Sequence, residues 1–184
     1  MKRFAFALAA AGLVVAAQAQ SVVDNRVYAE AGFTAVSYEE EALGYYVKST
    51  PKLLRGLFGY EVNDNLAVEA VAGVGLGYSD ADASNQSVPG LKVKIKSLLG
   101  VYLTPKTLVV DNLEGFARLG YAYAMGKVTM DTGNSTDSSN GFSYGLGLRY
   151  HFDRTTFLNM DYMSYLHNND FKAKGLTVGV GVKF

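Results

Sequence analysis

The residues from Gly175 to Phe184 alternate without a fault. Leu176, Val178, Val180, Val182 and Phe184 fall on one side, and Gly175, Thr177, Gly179, Gly181 and Lys183 on the other. A period of two is the strand signature, because successive side chains of an extended chain point to opposite faces. One face is large and apolar; the other is small and ends in a lysine. A chain built from such segments must form a sheet that shows one side to something greasy and the other to something polar and narrow.

The same period recurs along the chain. It predicts strands over Arg26–Ser37, Lys52–Val62, Leu66–Tyr78, Leu91–Leu103, Leu113–Met125, Gly141–Phe152 and Phe157–Leu166, with Gly175–Phe184 as the eighth. Four polar links are expected as loops: Tyr38–Pro51, Ser79–Gly90, Gly126–Asn140 and His167–Lys172. They alternate with three short ones, Asn63–Asn65, Thr104–Asn112 and Asp153–Thr156. Asn and Asp suit such turns because they bond their own backbone and tolerate left-handed angles. Pro105 is expected to stop the fourth strand. Short and long links in alternation describe an up-and-down meander rather than βαβ units.

The start of the chain has a different character. Lys2 and Arg3 precede an apolar run from Phe4 to Val15, and Ala17-Gln18-Ala19 is a small-x-small site. This predicts a cleaved signal peptide over 1–19 and one domain over 20–184. No later stretch approaches the ~20 apolar residues of a membrane-spanning helix. A membrane location therefore requires strands closed into a barrel, which alone satisfies their backbone groups in lipid. There is no cysteine, and 17 basic residues balance 17 acidic ones. A neutral chain lacks the basic excess of a nucleic-acid binder.

A soluble, lipocalin-like barrel would also alternate, with its apolar side chains inside. Two features favour the opposite orientation. The polar face mixes many glycines with long charged residues of both signs: Glu30, Glu69, Glu114 and Asp161 against Arg55, Lys94, Arg118 and Arg149. Glycine among interlocking charges suits a narrow interior, where buried charges must be paired. Aromatic residues also gather near strand ends, at Tyr60, Tyr78, Tyr123, Phe142, Phe152, Phe157 and Phe184, as in a girdle at two membrane interfaces. The expected fold is all-β: an eight-stranded antiparallel up-and-down transmembrane β-barrel.

The mature chain resembles the small eight-stranded bacterial outer-membrane barrels, the porin-like or opacity-protein-like family that includes the barrel of OmpA-type proteins. Gly141–Phe152 and Gly175–Phe184 carry most of the likeness. The resemblance implies an outer-membrane location and contact with outer-membrane lipid and lipopolysaccharide. It also implies a closing strand, ending in Phe184, that is read by the barrel-assembly machinery. No peptidoglycan-binding domain is expected after Phe184.

An eight-stranded barrel is filled by its own side chains, so the inward charges are expected as a structural network, with a proton or ion path as the alternative. Catalysis would need a nucleophile, a base and an orienting acid near the membrane boundary. The chain has two histidines. His151 has no serine in the next positions. His167 lies near Ser164 and Asp170, but the His-x-Ser pattern of the lipid A deacylases is absent, and Ser164 has lipid-facing parity. A non-enzymatic barrel is expected, with no cofactor and no metal. Its acidic loops, with Glu39–Glu41, Asp80, Asp82, Asp131 and Asp137, serve hydration or hold a surface ligand.

Overall fold

The computed structural model describes residues 26–42, 45–83, 86–130, 133–168 and 171–184, with side chains described outside 38–48, 80–93, 128–135 and 166–172. The segment expected as a signal peptide, 1–19, lies outside the described residues. Among the described residues ten strands are formed: β1 Val27–Ala42, β2 Tyr45–Ser49, β3 Lys52–Asn63, β4 Leu66–Gly75, β5 Ser79–Ala83, β6 Gln86–Val110, β7 Leu113–Met130, β8 Gly133–His151, β9 Thr156–Asn168 and β10 Phe171–Lys183. All pairings are antiparallel, and β10 pairs with β1 from Tyr28↔Lys183 to Glu40↔Phe171, which closes the wall.

Two of the ten are continuations of others. The lower part of β1 pairs with β3 and its upper part with β2, so β2 and β3 form one staved strand broken at Thr50-Pro51. β5 likewise continues β4 beyond a break at Leu76–Tyr78, and β2 pairs with β5 above the break. The barrel therefore has eight staves. Gly77 sits in this second break with φ of 122°, a backbone region that favours glycine.

The segments expected as loops are mostly strand. β6 has 25 residues, β7 18 and β8 19, whereas a tilted strand crosses a bilayer in ~9–11. The long hairpins continue the wall far beyond the hydrocarbon. There lipid no longer dictates one face of the sheet, so composition stops marking the strand. Backbone register carries the pairing instead, setting Glu39 opposite both Lys48 and Lys172, and Asp80 opposite Lys92. Pro105 does not end β6. It lies opposite Leu66, the first residue of β4, and pairing with β7 resumes at Lys106↔Phe116.

The opposite end has tight turns. The Asn65 N–H donates to Asn63 Oδ1 at 2.9 Å. Asp153 Oδ1 accepts from the Thr155 N–H, the Thr155 hydroxyl and the Thr156 N–H at 2.7, 2.7 and 2.8 Å. These bonds need a carboxylate, and they hold the Asp153 carboxyl down at about 2.

The apolar face looks outward. Leu146 is 70 % exposed, Val180 52 % and Val178 44 %, while Arg118 and Arg149 have no exposure. Soluble monomers rarely show apolar patches of more than a few hundred Å²; here the apolar band runs around every stave. This orientation sets aside the lipocalin-like alternative. Tyr60, Tyr78, Tyr123, Phe142 and Phe152 all face outward. Phe157 does not: it is fully buried, on the inward parity of β9, with its ring 6.0 Å from that of Tyr28. Phe184 is half-buried, and its N–H donates to the Val27 carbonyl at 2.9 Å.

Candidate functional site

The lumen is occupied by charge. Inward positions on β3, β6, β7, β8, β9, β10, β4 and β1 deliver ten ionic groups that alternate in sign from the short-turn end toward the middle. Lys183 and Lys106 share Glu61 at 2.8 and 2.5 Å. Lys106 reaches Glu114 at 2.9 Å, and Glu114 accepts from Arg149 at 2.9 Å. Arg149 reaches Glu69 at 3.2 Å, and Glu69 is clasped by the Nε of Arg118. Arg118 reaches Asp161 at 2.6 Å, Arg55 grips both oxygens of Asp161 at 2.9 and 2.5 Å, and Arg55 ends the ladder on Glu30 at 2.7 Å. Five cations meet five anions, so the lumen holds no net charge from this set.

Two of the three arginines are further held in place. Arg149 lies over the rings of Phe157, Tyr28 and Phe116 at 4.6, 4.7 and 5.1 Å, and Arg118 over Phe116 at 4.5 Å. A planar guanidinium suits such stacking as well as bidentate pairing. The rings themselves need room. Those of Tyr28, Phe116 and Phe157 lie against Gly59, Gly147 and Gly181, where a Cβ would collide with them. Tyr28 also donates to Glu69 at 2.5 Å, and Asn159 donates to Asp161 at 2.7 Å and to Glu30 at 3.3 Å.

Seven of the eight inward charges expected from alternation stand in this ladder: Glu30, Arg55, Glu69, Glu114, Arg118, Arg149 and Asp161. Lys94 stands apart. The register of β6 on β7 shifts between Ile95 and Ser97, a bulge at Lys96 that reverses parity beyond it. Ile95 turns in against the lumenal core, and Lys94 turns out, 5.3 Å from the centre of the Tyr78 ring. Three members were not among the expected charges. Lys106 lies past Pro105, where the strand was expected to have stopped; Lys183 and Glu61 have the polar-face parity of their strands but sit at the strand ends.

Toward the extended end the lumen changes from charged to apolar. Val36, Leu53, Leu98, Met163, Tyr165 and Ala173 fill it, all buried. Between the two zones, Thr34 and Thr177 share a hydrogen bond at 2.9 Å, and Tyr102 and Ser143 one at 3.1 Å. The interior is thus packed with ion pairs below and hydrocarbon above.

The serine and histidines considered for catalysis are not brought together as a site among the described residues. Ser164 is buried beside the register shift of β9 on β10 at Tyr165, although its direct cross-strand partners Lys174 and Tyr144 are both exposed. His151 is half-buried near the short-turn end, 5.8 Å from Phe157. The side chains of His167 and Asp170 lie outside those described.

Known proteins agree with this architecture. Neisserial surface protein A is 18 % identical, with a TM-score of 0.65 over 86 % of this chain and 97 % of its own. Ail, the attachment invasion locus protein of Yersinia pestis, crystallised with the heparin analogue sucrose octasulfate, is 17 % identical, with a TM-score of 0.60 over 86 % of this chain and 98 % of its own. OprG from Pseudomonas aeruginosa is 16 % identical, with a TM-score of 0.60 over 86 % and 96 %. No curated protein sequence matches the chain. The outer membrane protein beta-barrel domain model matches residues 6–184. The outward apolar band, the closed wall and this match put the protein in the bacterial outer membrane, as a member of the outer-membrane β-barrel domain family.

Proposed function

We propose that the protein is a sealed, non-enzymatic barrel that strengthens the outer envelope and carries stiff hairpins on the cell surface. The observation that carries this reading is the alternating ladder from Lys183 to Glu30, backed by the apolar zone at Val36, Leu53 and Met163. A solute crossing the lumen would have to part buried ion pairs, and breaking one such pair costs ~3–5 kcal/mol. The ladder serves as a structural plug rather than an ion path. Catalysis finds no support in the surroundings of Ser164 and His151.

A second reading concerns the hairpins. Strands that continue well past the hydrocarbon present an ordered backbone edge, which lowers the entropy cost of holding a partner. Ail, a barrel of the same fold, is described as an attachment invasion locus protein and binds a sulfated sugar. A surface ligand held by the β7–β8 hairpin is the corresponding role here.

One pair of strains separates the two readings. Lys127 and Thr136 are direct partners, so replacing 128–135 by Asn-Gly recloses the hairpin with a favoured two-residue turn. If envelope strength is the role, cells carrying the shortened barrel resist detergent and bile salts as the parent does, and cells lacking the protein do not. If surface attachment is the role, the shortened barrel loses adhesion to host cells or immobilised sulfated glycan. Detergent resistance unchanged by loss of the whole protein would overturn the envelope reading.

A further inference from the structure

The parity reversal at Lys96 has a chemical result on the outside of the wall. Lys94 and Lys127 are direct cross-strand partners of β6 and β7. Ile95, between them and the bulge, is turned inward, so both lysines belong to the outer face. Like charges set directly opposite each other on one face of a sheet repel. Among the described residues, no carboxylate pairs with Lys94, Lys96 or Lys127; the contact of Lys94 is the Tyr78 ring at 5.3 Å. Lys96 is exposed in the bulge. Lys52, also exposed, continues the patch sideways: its carbonyl accepts from the Leu76 N–H at 2.8 Å, two residues before Tyr78. Four lysines thus span β3, the β4–β5 break, β6 and β7.

Their height is as informative as their sign. Directly below them on the same staves, Leu99, Val101, Tyr121 and Tyr123 face outward in the apolar band. The lysines stand where the hydrocarbon ends on the extended, outer side. At the short-turn end the exposed charges are of both signs, with Asp64, Asp111 and Asp153 beside Arg154. A patch of cations with no carboxylate partner among the described residues, just above lipid-facing aliphatic and aromatic side chains, fits an amphiphile with phosphates at the boundary of its acyl chains.

We propose that Lys52, Lys94, Lys96 and Lys127, with Tyr78, form a binding site for the phosphates of an outer-leaflet glycolipid of the lipid A type, whose acyl chains lie along Leu99, Val101 and Tyr121. A phosphate between Lys94 and Lys127 relieves their mutual repulsion and accepts charged hydrogen bonds from both. The site rests on the outer-membrane location and extends the envelope role to one named lipid contact; its failure would leave the sealed lumen untouched, since no lumenal group takes part.

The test is lipid retention by the folded full chain in detergent, read by native mass spectrometry after addition of diphosphoryl lipid A, monophosphoryl lipid A or sucrose octasulfate. The wild type should retain diphosphoryl lipid A most strongly, and each lysine removed should weaken retention roughly fivefold. The variants are Lys94→Gln, Lys94→Gln with Lys127→Gln, and all four lysines to Gln, with Lys174→Gln, exposed on β10, as the control that leaves retention unchanged. Heat-modifiable gel mobility reports folding; if the fourfold variant does not fold, Lys94→Gln alone decides. Equal retention by wild type and Lys94→Gln would overturn the site. So would loss of sucrose octasulfate binding with lipid A retention intact, which would make the patch a receptor for soluble polyanions.

Discussion

Arg118 shows how much a single side chain carries inside this barrel. It is fully buried, clasps Glu69, reaches Asp161 at 2.6 Å, and lies over Phe116. Arg118→Met removes the cation and leaves two buried carboxylates without it, so unfolding in lipid vesicles should become easier by ~3–5 kcal/mol. Arg118→Lys keeps the charge but loses the planar fork, and should fall between the two. Urea titration followed by the folded-band shift on gels measures both. Gly181 makes the converse point. An alanine there would meet the Phe157 ring, and such overpacking costs ~1–3 kcal/mol in the same assay. At the short turn, Asp153 has its carboxyl depressed to about 2 from 3.8 by the bonds it accepts from Thr155 and Thr156. A depressed carboxyl contributes stability above its unfolded value and loses it as pH falls toward the folded one. The turn should therefore stay closed at pH 5 and loosen between about pH 4 and 2, in an NMR titration of the Thr155 and Thr156 amides that Asp153→Asn would flatten.

At the level of the strand, what was legible and what was not follow from one physical fact. Within the hydrocarbon, lipid demands apolar side chains outside and the narrow lumen demands paired charges and glycine inside. Alternation there reveals the facing of Arg55, Glu69, Arg118 and Arg149 directly. Beyond the hydrocarbon that demand lapses, and Gly126–Asn140 looks like a loop although most of it is a paired hairpin. Bulges are equally silent, since one extra residue leaves no compositional mark. Lys94 lies outside rather than in the lumen for this reason alone, by the shift beside Lys96. Deleting Lys96 should test the bulge. It would restore strict alternation, swing Lys94 into the lumen and Ile95 out, and lower the urea midpoint, whereas Lys96→Ala keeps the extra residue and should leave the midpoint unchanged.

Over the whole molecule, an outward apolar band and an inward ladder of opposite charges are two halves of one solution. Lipid takes the aliphatic and aromatic face, and the charges that cannot go there neutralise one another in the interior, five against five. The plug fills the lower lumen and hydrocarbon the upper, which leaves the surface hairpins and the lipid-facing rim as the parts free to meet partners. The direct test is ion conductance across a planar bilayer containing the folded wild-type barrel. A sealed lumen predicts a flat current at the baseline of the protein-free bilayer at moderate voltage, and Glu69→Ala with Arg118→Ala should begin to admit current. Stable, stepwise openings of the wild type would show an open path past Arg118 and contradict the account.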